Sequence, residues 1–433
     1  MKSPADDPLS PKFFPHAYGR LVSLLAGRLG DRELGRIEDA VQTAMLRAVE
    51  GWRRGSVPDN PQAWLYRVAY NECLQGRRRE GKQRAILERH PPSEDERVEQ
   101  QLPADCDDAI VRMLLVCCQK SLSTKASLVL ALKILCGLGV PEIARRLFES
   151  EDNVYKIYQR GRATLARRSK VILDVDEAQF TRRLPSLCRV LYALFCEGYN
   201  SLAGEVAVRI DLCAEAIRLA TLVAGNRQER DPSLCALLAL MHFGAARLPG
   251  RIGPSGELLL LAEQDRSKWD QMHIATGLGW LAKSAAGSTF SRYHAEAGVA
   301  AEHCIASSLS ATNWSKIVDC YDLLFQFEEA PSNRLDWVVA IAELRGAAEG
   351  MQALKALDLP AEVRRSYLRL AVAGTLERRL GNYAAAHKLE LAASSAAPTP
   401  LSQSLIERRL QGSELLGGCG SGKLPSANST GLA

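Results

Sequence analysis

The sequence predicts an all-α protein, on three observations. Apolar residues recur at spacings of three and four along most of the 433 residues. The strict alternation of a half-buried strand is nearly absent. The C-terminal half is rich in Ala and Leu and carries weak internal echoes of a helical-hairpin repeat. A chain this long exceeds one typical domain. Composition divides it into helical segments over 10–80, 106–170 and 175–411. A charged linker with Pro91-Pro92 covers 81–105, and a Gly/Ser-rich tail, expected to lack fixed structure, covers 412–433.

In order along the chain, the first clear helix is "DRELGRIEDAVQTAMLRAVEGW". Asp31 is its expected N-cap, and Leu34, Ile37, Val41, Ala44, Met45 and Ala48 form one apolar stripe. A loop with Gly55 and Pro58 follows. "PQAWLYRVAYNECLQGRRRE" then opens with Asn60 as cap and Pro61 at the first helical position. Its expected buried stripe is Trp64, Leu65, Val68 and Ala69. Off that stripe lie Arg67, Tyr70, Asn71, Arg77, Arg78 and Arg79, with Trp64 and Tyr66 nearby. Aromatic rings among arginines suit a single nucleic-acid strand, because bases stack and guanidinium groups track the backbone. A solvated basic helix end is the plainer alternative.

Residues 140–159 overlay a helix-turn-helix. Pro141 opens its first helix, and Ile143, Ala144 and Leu147 face inward. Val154, Ile157 and Leu165 are the matching apolar positions of the second helix. The outward face then carries Asn153, Lys156, Gln159, Arg160 and Arg162, flanked by Tyr155 and Tyr158. These side chains donate to phosphates and base edges, as a helix in a major groove must. The turn holds Phe148, and Glu149, Glu151 and Asp152 put acid where phosphate would approach. An ordinary helical hairpin is the alternative.

Charge is unevenly spread. The net charge is +5, yet residues 1–170 hold 29 Lys+Arg against 22 Asp+Glu, and the remainder is net −2. A polyanionic partner would therefore be sought at the N-terminal part, though the excess is modest. The twelve cysteines include no C-x-x-C and no zinc-ligand spacing, so buried thiols in a reducing cytosol are expected. The first residues lack an apolar signal core, and no run reaches the ~18 apolar residues of a membrane span. His242, His273, His294 and His303 are each isolated in helical context and are read as structural. The polar stretch "EQDRSKWD" (263–270) is read as a capping or packing network, and "LGNYAAAHKLELAASSAAPTP" (380–400) has a tetratricopeptide cadence. No cofactor, no metal and no enzymatic activity are expected.

Taken together, "IEDAVQTAMLRAV", "VPDNPQAWLYRVAYNECLQGRRRE" and "LLVCCQKSLSTKASLVLALKILCGLGVPEIARRLF" resemble bacterial sigma-70-type factors of the extracytoplasmic-function (ECF) class. "LFCEGYN", "DLCAEAIRLATLV", "LLLLAEQDRSKWD" and "YDLLFQF" resemble the subgroup with a C-terminal tetratricopeptide-like (TPR-like) extension. The resemblance implies a helical sigma region 2 domain over 10–80, a helix-turn-helix region 4 domain over 106–170 and a TPR-like helical array over 175–411. It implies that Asp39, Gln42, Met45 and Leu46 dock on the β′ clamp of core RNA polymerase. The 53–63 loop and the Trp64–Arg79 helix would open and hold a −10 element. The 140–168 hairpin would read a −35 element and touch the β flap. Three departures stand out: Gly76, expected to fray its helix; Gln119-Lys120 after the paired cysteines; and the acidic turn 149–152. The implied protein is a cytoplasmic sigma factor with core polymerase and promoter DNA as partners, no membrane contact, and a regulatory protein or intramolecular control acting through the extension. The competing class is a stand-alone helix-turn-helix regulator with a ligand- or protein-binding helical domain, which leaves 31–80 without a role.

Overall fold

The computed structural model describes residues 13–30, 33–52, 57–85, 106–119, 121–147, 149–167, 177–199, 208–225, 231–254, 256–327, 331–397 and 403–408. Among them there are eighteen named helices and no strand, only an isolated bridge between Ile252 and Leu258. Asp31, loop residues 53–56, Phe148, most of the expected linker and the tail lie outside the described residues.

The chain forms two compact units, Met1–Leu194 and Phe195–Ala433. The first holds α1 (Phe13–Leu29), α2 (Leu34–Trp52), α3 (Pro61–Ala85), α4 (Cys106–Cys117), α5 (Thr124–Ile134), α6 (Val140–Leu147), α7 (Glu151–Ala166) and most of α8 (Glu177–Tyr199). In α2, Leu34, Ile37, Val41, Ala44 and Ala48 are buried as their spacing requires, while Met45 is half-buried. Asn60 Oδ1 accepts the Ala63 N–H at 3.1 Å and caps α3.

Two expectations for α3 are corrected. The helix passes through Gly76 and on to Ala85, five residues into the expected linker. A Cβ at Gly76 would meet the Arg36 side chain at 3.3 Å, so packing of α2 across this position offsets the glycine's helix cost. The buried stripe is also rotated. It is Leu65, Tyr66, Ala69, Tyr70 and Cys73, while Trp64 and Val68 are half-buried. Tyrosine rings bury more apolar area than the aliphatic positions expected there.

Pairs of sequential helices build the second unit: α9 (Ile210–Gly225), α10 (Pro232–Arg251), α11 (Gln271–Ser284), α12 (Arg292–Ile305), α13 (Trp314–Leu324), α14 (Pro331–Arg345), α15 (Ala347–Ala356), α16 (Ala361–Arg364), α17 (Tyr367–Arg379) and α18 (Tyr383–Ser395). The "LGNY" segment is the turn between α17 and α18, with Gly381 at φ +83°. α10 is apolar all round and nearly wholly buried, capped by Asp231, which accepts from the Ser233 and Leu234 N–H groups at 2.8 and 3.2 Å. It alone among the described helices has the length and hydropathy to cross a membrane, but 89% of that window is buried inside the array. The "EQDRSKWD" stretch caps, as expected. Asp265 holds the Ser267 N–H at 3.0 Å, Asp270 the N–H groups of Met272 and His273 at 2.8 and 3.0 Å, and Glu263 that of Leu260 at 2.7 Å. His242 and His273 are not isolated from one another: their Nδ1 atoms lie 2.9 Å apart, and burial, then His273, lowers the His242 pKa to about 4.

Candidate nucleic-acid interface

The polar face of α2 is the simplest part of the site. Asp39, Gln42 and Leu46 are exposed and Met45 half-buried, so one helical face presents all four. Leu46 is 65% exposed, a large apolar side chain left in water on an otherwise well-packed helix.

On α3, Arg67 and Asn71 stand one turn apart in solvent. Trp64 is half-buried against Trp52, ring centroids 5.7 Å apart. Arg77 donates to the Leu29 carbonyl at 3.0 Å and so caps the end of α1. The side chains of Arg78 and Arg79 lie outside the described residues. Tyr70 is a correction: it is 2% exposed, stacked on Tyr66 with the Arg28 guanidinium 4.8 Å from its ring centroid. Its expected availability for base stacking rested on the unrotated stripe.

Two helices, α6 and α7, form over the stretch read as a helix-turn-helix. Ile143, Ala144, Val154 and Leu165 are buried, with Leu147 and Ile157 half-buried. Ser150 caps α7 by accepting the Asn153 N–H at 3.2 Å. Of the expected outward donors, Lys156 and Arg160 are exposed and Asn153 and Gln159 half-buried, with Tyr155 52% exposed beside them. The acidic turn engages two of them: Glu149 holds the Asn153 side chain and Lys125, and Asp152 pairs with Lys156 at 2.6 Å. Lys125, then Asn153, keeps the Glu149 carboxyl below its ordinary range. The Asp152–Lys156 pair is well exposed, and exposed ion pairs contribute little.

Tyr158 and Arg162 depart from expectation. Both turn inward, Tyr158 4% exposed and the Arg162 guanidinium 5.8 Å from its ring centroid, against Gly35 of α2. Sequence reasoning missed the reason, a seam between α1–α2 and α5–α7 within the first unit. The Glu38 carboxylate of α2, 5% exposed, accepts from the Tyr18 hydroxyl of α1 at 3.1 Å and, by its other oxygen, from the Tyr158 hydroxyl of α7. Beside them, a Cβ at Gly19 would overlap the Leu135 carbonyl, with its carbon at 2.8 Å. Gly137, at φ +67°, lets the α5–α6 turn lie on the Tyr18 ring. Only the odd position of a Glu within the α2 apolar stripe hinted at this seam.

Burial holds the Glu38 carboxyl above its ordinary range, against the hydrogen bonds of Tyr158 and Tyr18 and the charges of Lys133 and Arg162. A carboxyl raised in the closed seam binds its proton more tightly there than in water. The seam is therefore favoured below the ordinary carboxylate range and weakens as pH rises from that range through the raised value. The melting temperature of the wild type minus that of Glu38→Gln should fall as pH rises from 5 to 8. A difference that is flat or rises with pH would contradict this account.

Residues 15–83 match sigma-70 region 2, and residues 183–285 match a family of unknown function (DUF6596). The chain belongs to one family with an uncharacterized protein of Rhizobium meliloti (strain 1021), 31% identical over 342 residues that cover 77% of this chain and 78% of that one. No solved structure matches the chain. The sigma-70 region 2 match supports initiation of transcription with core RNA polymerase on promoter DNA.

Proposed function

We propose that this protein is a cytoplasmic sigma factor of the ECF class whose DNA-directed halves are latched together until polymerase separates them. The observation that carries this reading is the Tyr18–Glu38–Tyr158 contact. A −10 and a −35 element centred ~25 base pairs apart lie ~85 Å apart at 3.4 Å per base pair. Two halves held at hydrogen-bond distance by the recognition helix do not read both at once. Docking of Asp39, Gln42, Met45 and Leu46 on the β′ clamp, and of the 140–168 hairpin on the β flap, would supply the energy to part them.

In the open form, Trp64, Arg67, Asn71 and the Arg77–Arg79 run serve the −10 strand, and Asn153, Lys156, Gln159 and Arg160 the −35 groove. Arg162 joins them only after the seam opens, and Tyr70 supports α3 from within. Flipping a base costs a few kcal/mol, and stacking returns about 1–3 kcal/mol per base. The TPR-like extension regulates this equilibrium. Run-off transcription with core polymerase on a library of upstream DNA tests the reading, and failure to associate with core enzyme at any salt would sink it. Arg160→Ala should weaken −35 duplex binding by about 1–3 kcal/mol with unchanged melting, measured by fluorescence anisotropy.

A further inference from the structure

The C-terminal end of α10 holds charge where the rest of that helix is apolar. Arg247 is 2% exposed, and its Nε and Nη1 are buried without a hydrogen-bond partner among the described residues. Its guanidinium lies 5.7 Å from the centroid of Trp269, whose indole Nε1 is likewise buried without an acceptor. The Arg266 guanidinium lies 4.7 Å from the same ring. Arg266 Nη1 donates to the carbonyls of His303 and of Ala306, the latter at 2.7 Å, while its Nη2 is buried and unaccepted. Burial and these two guanidinium groups drive the buried His303 imidazole toward its neutral form.

The described carboxylates nearby, Asp336 apart, have partners of their own. Asp265 and Asp270 cap the helix starts that follow them, and Glu263 holds the Leu260 N–H. Glu296, which shares the Tyr321 neighbourhood with Arg247, pairs with Arg292. Asp336, in the same neighbourhood, is raised well above the ordinary range by burial, which favours its neutral acid. Arginine does not shed its proton in proteins, and an uncompensated buried cation is strongly destabilising. Two guanidinium groups beside one indole ring, with four buried N–H-bearing nitrogens unaccepted among the described residues, call for an anion from outside the chain.

We propose that Arg247, Arg266 and Trp269 form a binding site for an oxyanion, the carboxylate or phosphate group of a small metabolite, within the second unit. The planar guanidinium groups and the indole N–H donate to its oxygens. Binding ties the end of α10 to the Arg266–Lys268 turn and the end of α12, which gives the matched region of unknown function a chemical input. This does not depend on the sigma reading, because binding is measured without polymerase or DNA.

The full-length chain is titrated with inorganic phosphate and, separately, with citrate, against chloride at matched ionic strength. Tryptophan fluorescence and thermal melting are followed. The expected result is a saturable fluorescence change and a melting rise of several degrees with one of the two anions, which tells phosphate from carboxylate recognition. Arg247→Met should melt at or above the wild type without anion and lose the saturable response. Trp269→Phe should bind more weakly while staying folded, and keeps the test decisive if the first variant misfolds. A wild type that responds to neither anion beyond chloride, or variants that respond as the wild type does, would overturn the proposal.

Discussion

Gly19→Ala is expected to prise the first unit apart while leaving both exposed faces untouched. Its new methyl group would occupy the space of the Leu135 carbonyl, and backbone at the end of α5 cannot rotate away as a side chain would. Overpacking of this kind costs about 1–3 kcal/mol. If the strain is relieved by opening, the ratio of closed to open chains falls about 5- to 150-fold. Amide exchange should quicken in α1 and α5 together, and the Tyr18–Glu38–Tyr158 contact should be lost. Association with core polymerase should strengthen by a similar factor, because the opening cost has been met beforehand. Unchanged exchange at both helices, together with unchanged polymerase affinity, would refute the latch. Loss of folding altogether is separable, because Tyr158→Phe weakens the same contact without steric overlap and should move polymerase affinity in the same direction.

The second large effect concerns where the extension begins. A chain cut at 174 should lose the cooperative melting of the N-terminal unit, whereas one cut at 194 should keep it. Most of α8 belongs to that unit. Arg183 donates to the Leu115 carbonyl at 3.3 Å, and Cys188 lies beside the buried Cys118. Phe180, Leu184, Leu187 and Leu191 are all within 5% of full burial. At about 1.5–3 kcal/mol for each large apolar side chain, their loss rivals the whole stability of an ordinary domain, about 5–15 kcal/mol. Calorimetry of the two truncated chains decides it, and equal melting would show that α8 is dispensable. Tests of whether the extension regulates should therefore remove residues after 194, since an earlier cut would damage the N-terminal unit.

Residue spacing and capping chemistry made most of the local structure legible. The α2 stripe, the Asn60 cap and the α6–α7 hairpin follow from three- and four-residue periodicity and from side chains that bond their own backbone. The capping role of "EQDRSKWD" was legible for the same reason, since Asp265 and Asp270 act within three residues of themselves. The exposed face of α2 could be read too, because the positions left over by an apolar stripe face water.

Contacts across long sequence distances were not legible. Tyr158 and Glu38 are 120 residues apart, and nothing in the spacing of either helix says which surface the other will meet. Tyrosine is apolar along its ring and polar at its tip, so periodicity alone does not decide whether Tyr70 or Tyr158 belongs to core or surface. The same holds for Arg247, whose neighbours in sequence are apolar and whose neighbours in space are another cation and an indole. The sequence by itself determined most of the helices, their caps and the likeness of residues 15–83 to sigma-70 region 2. Only the tertiary structure decided which polar groups were taken out of water together, because desolvation depends on what covers a group, and that cover comes from distant parts of the chain.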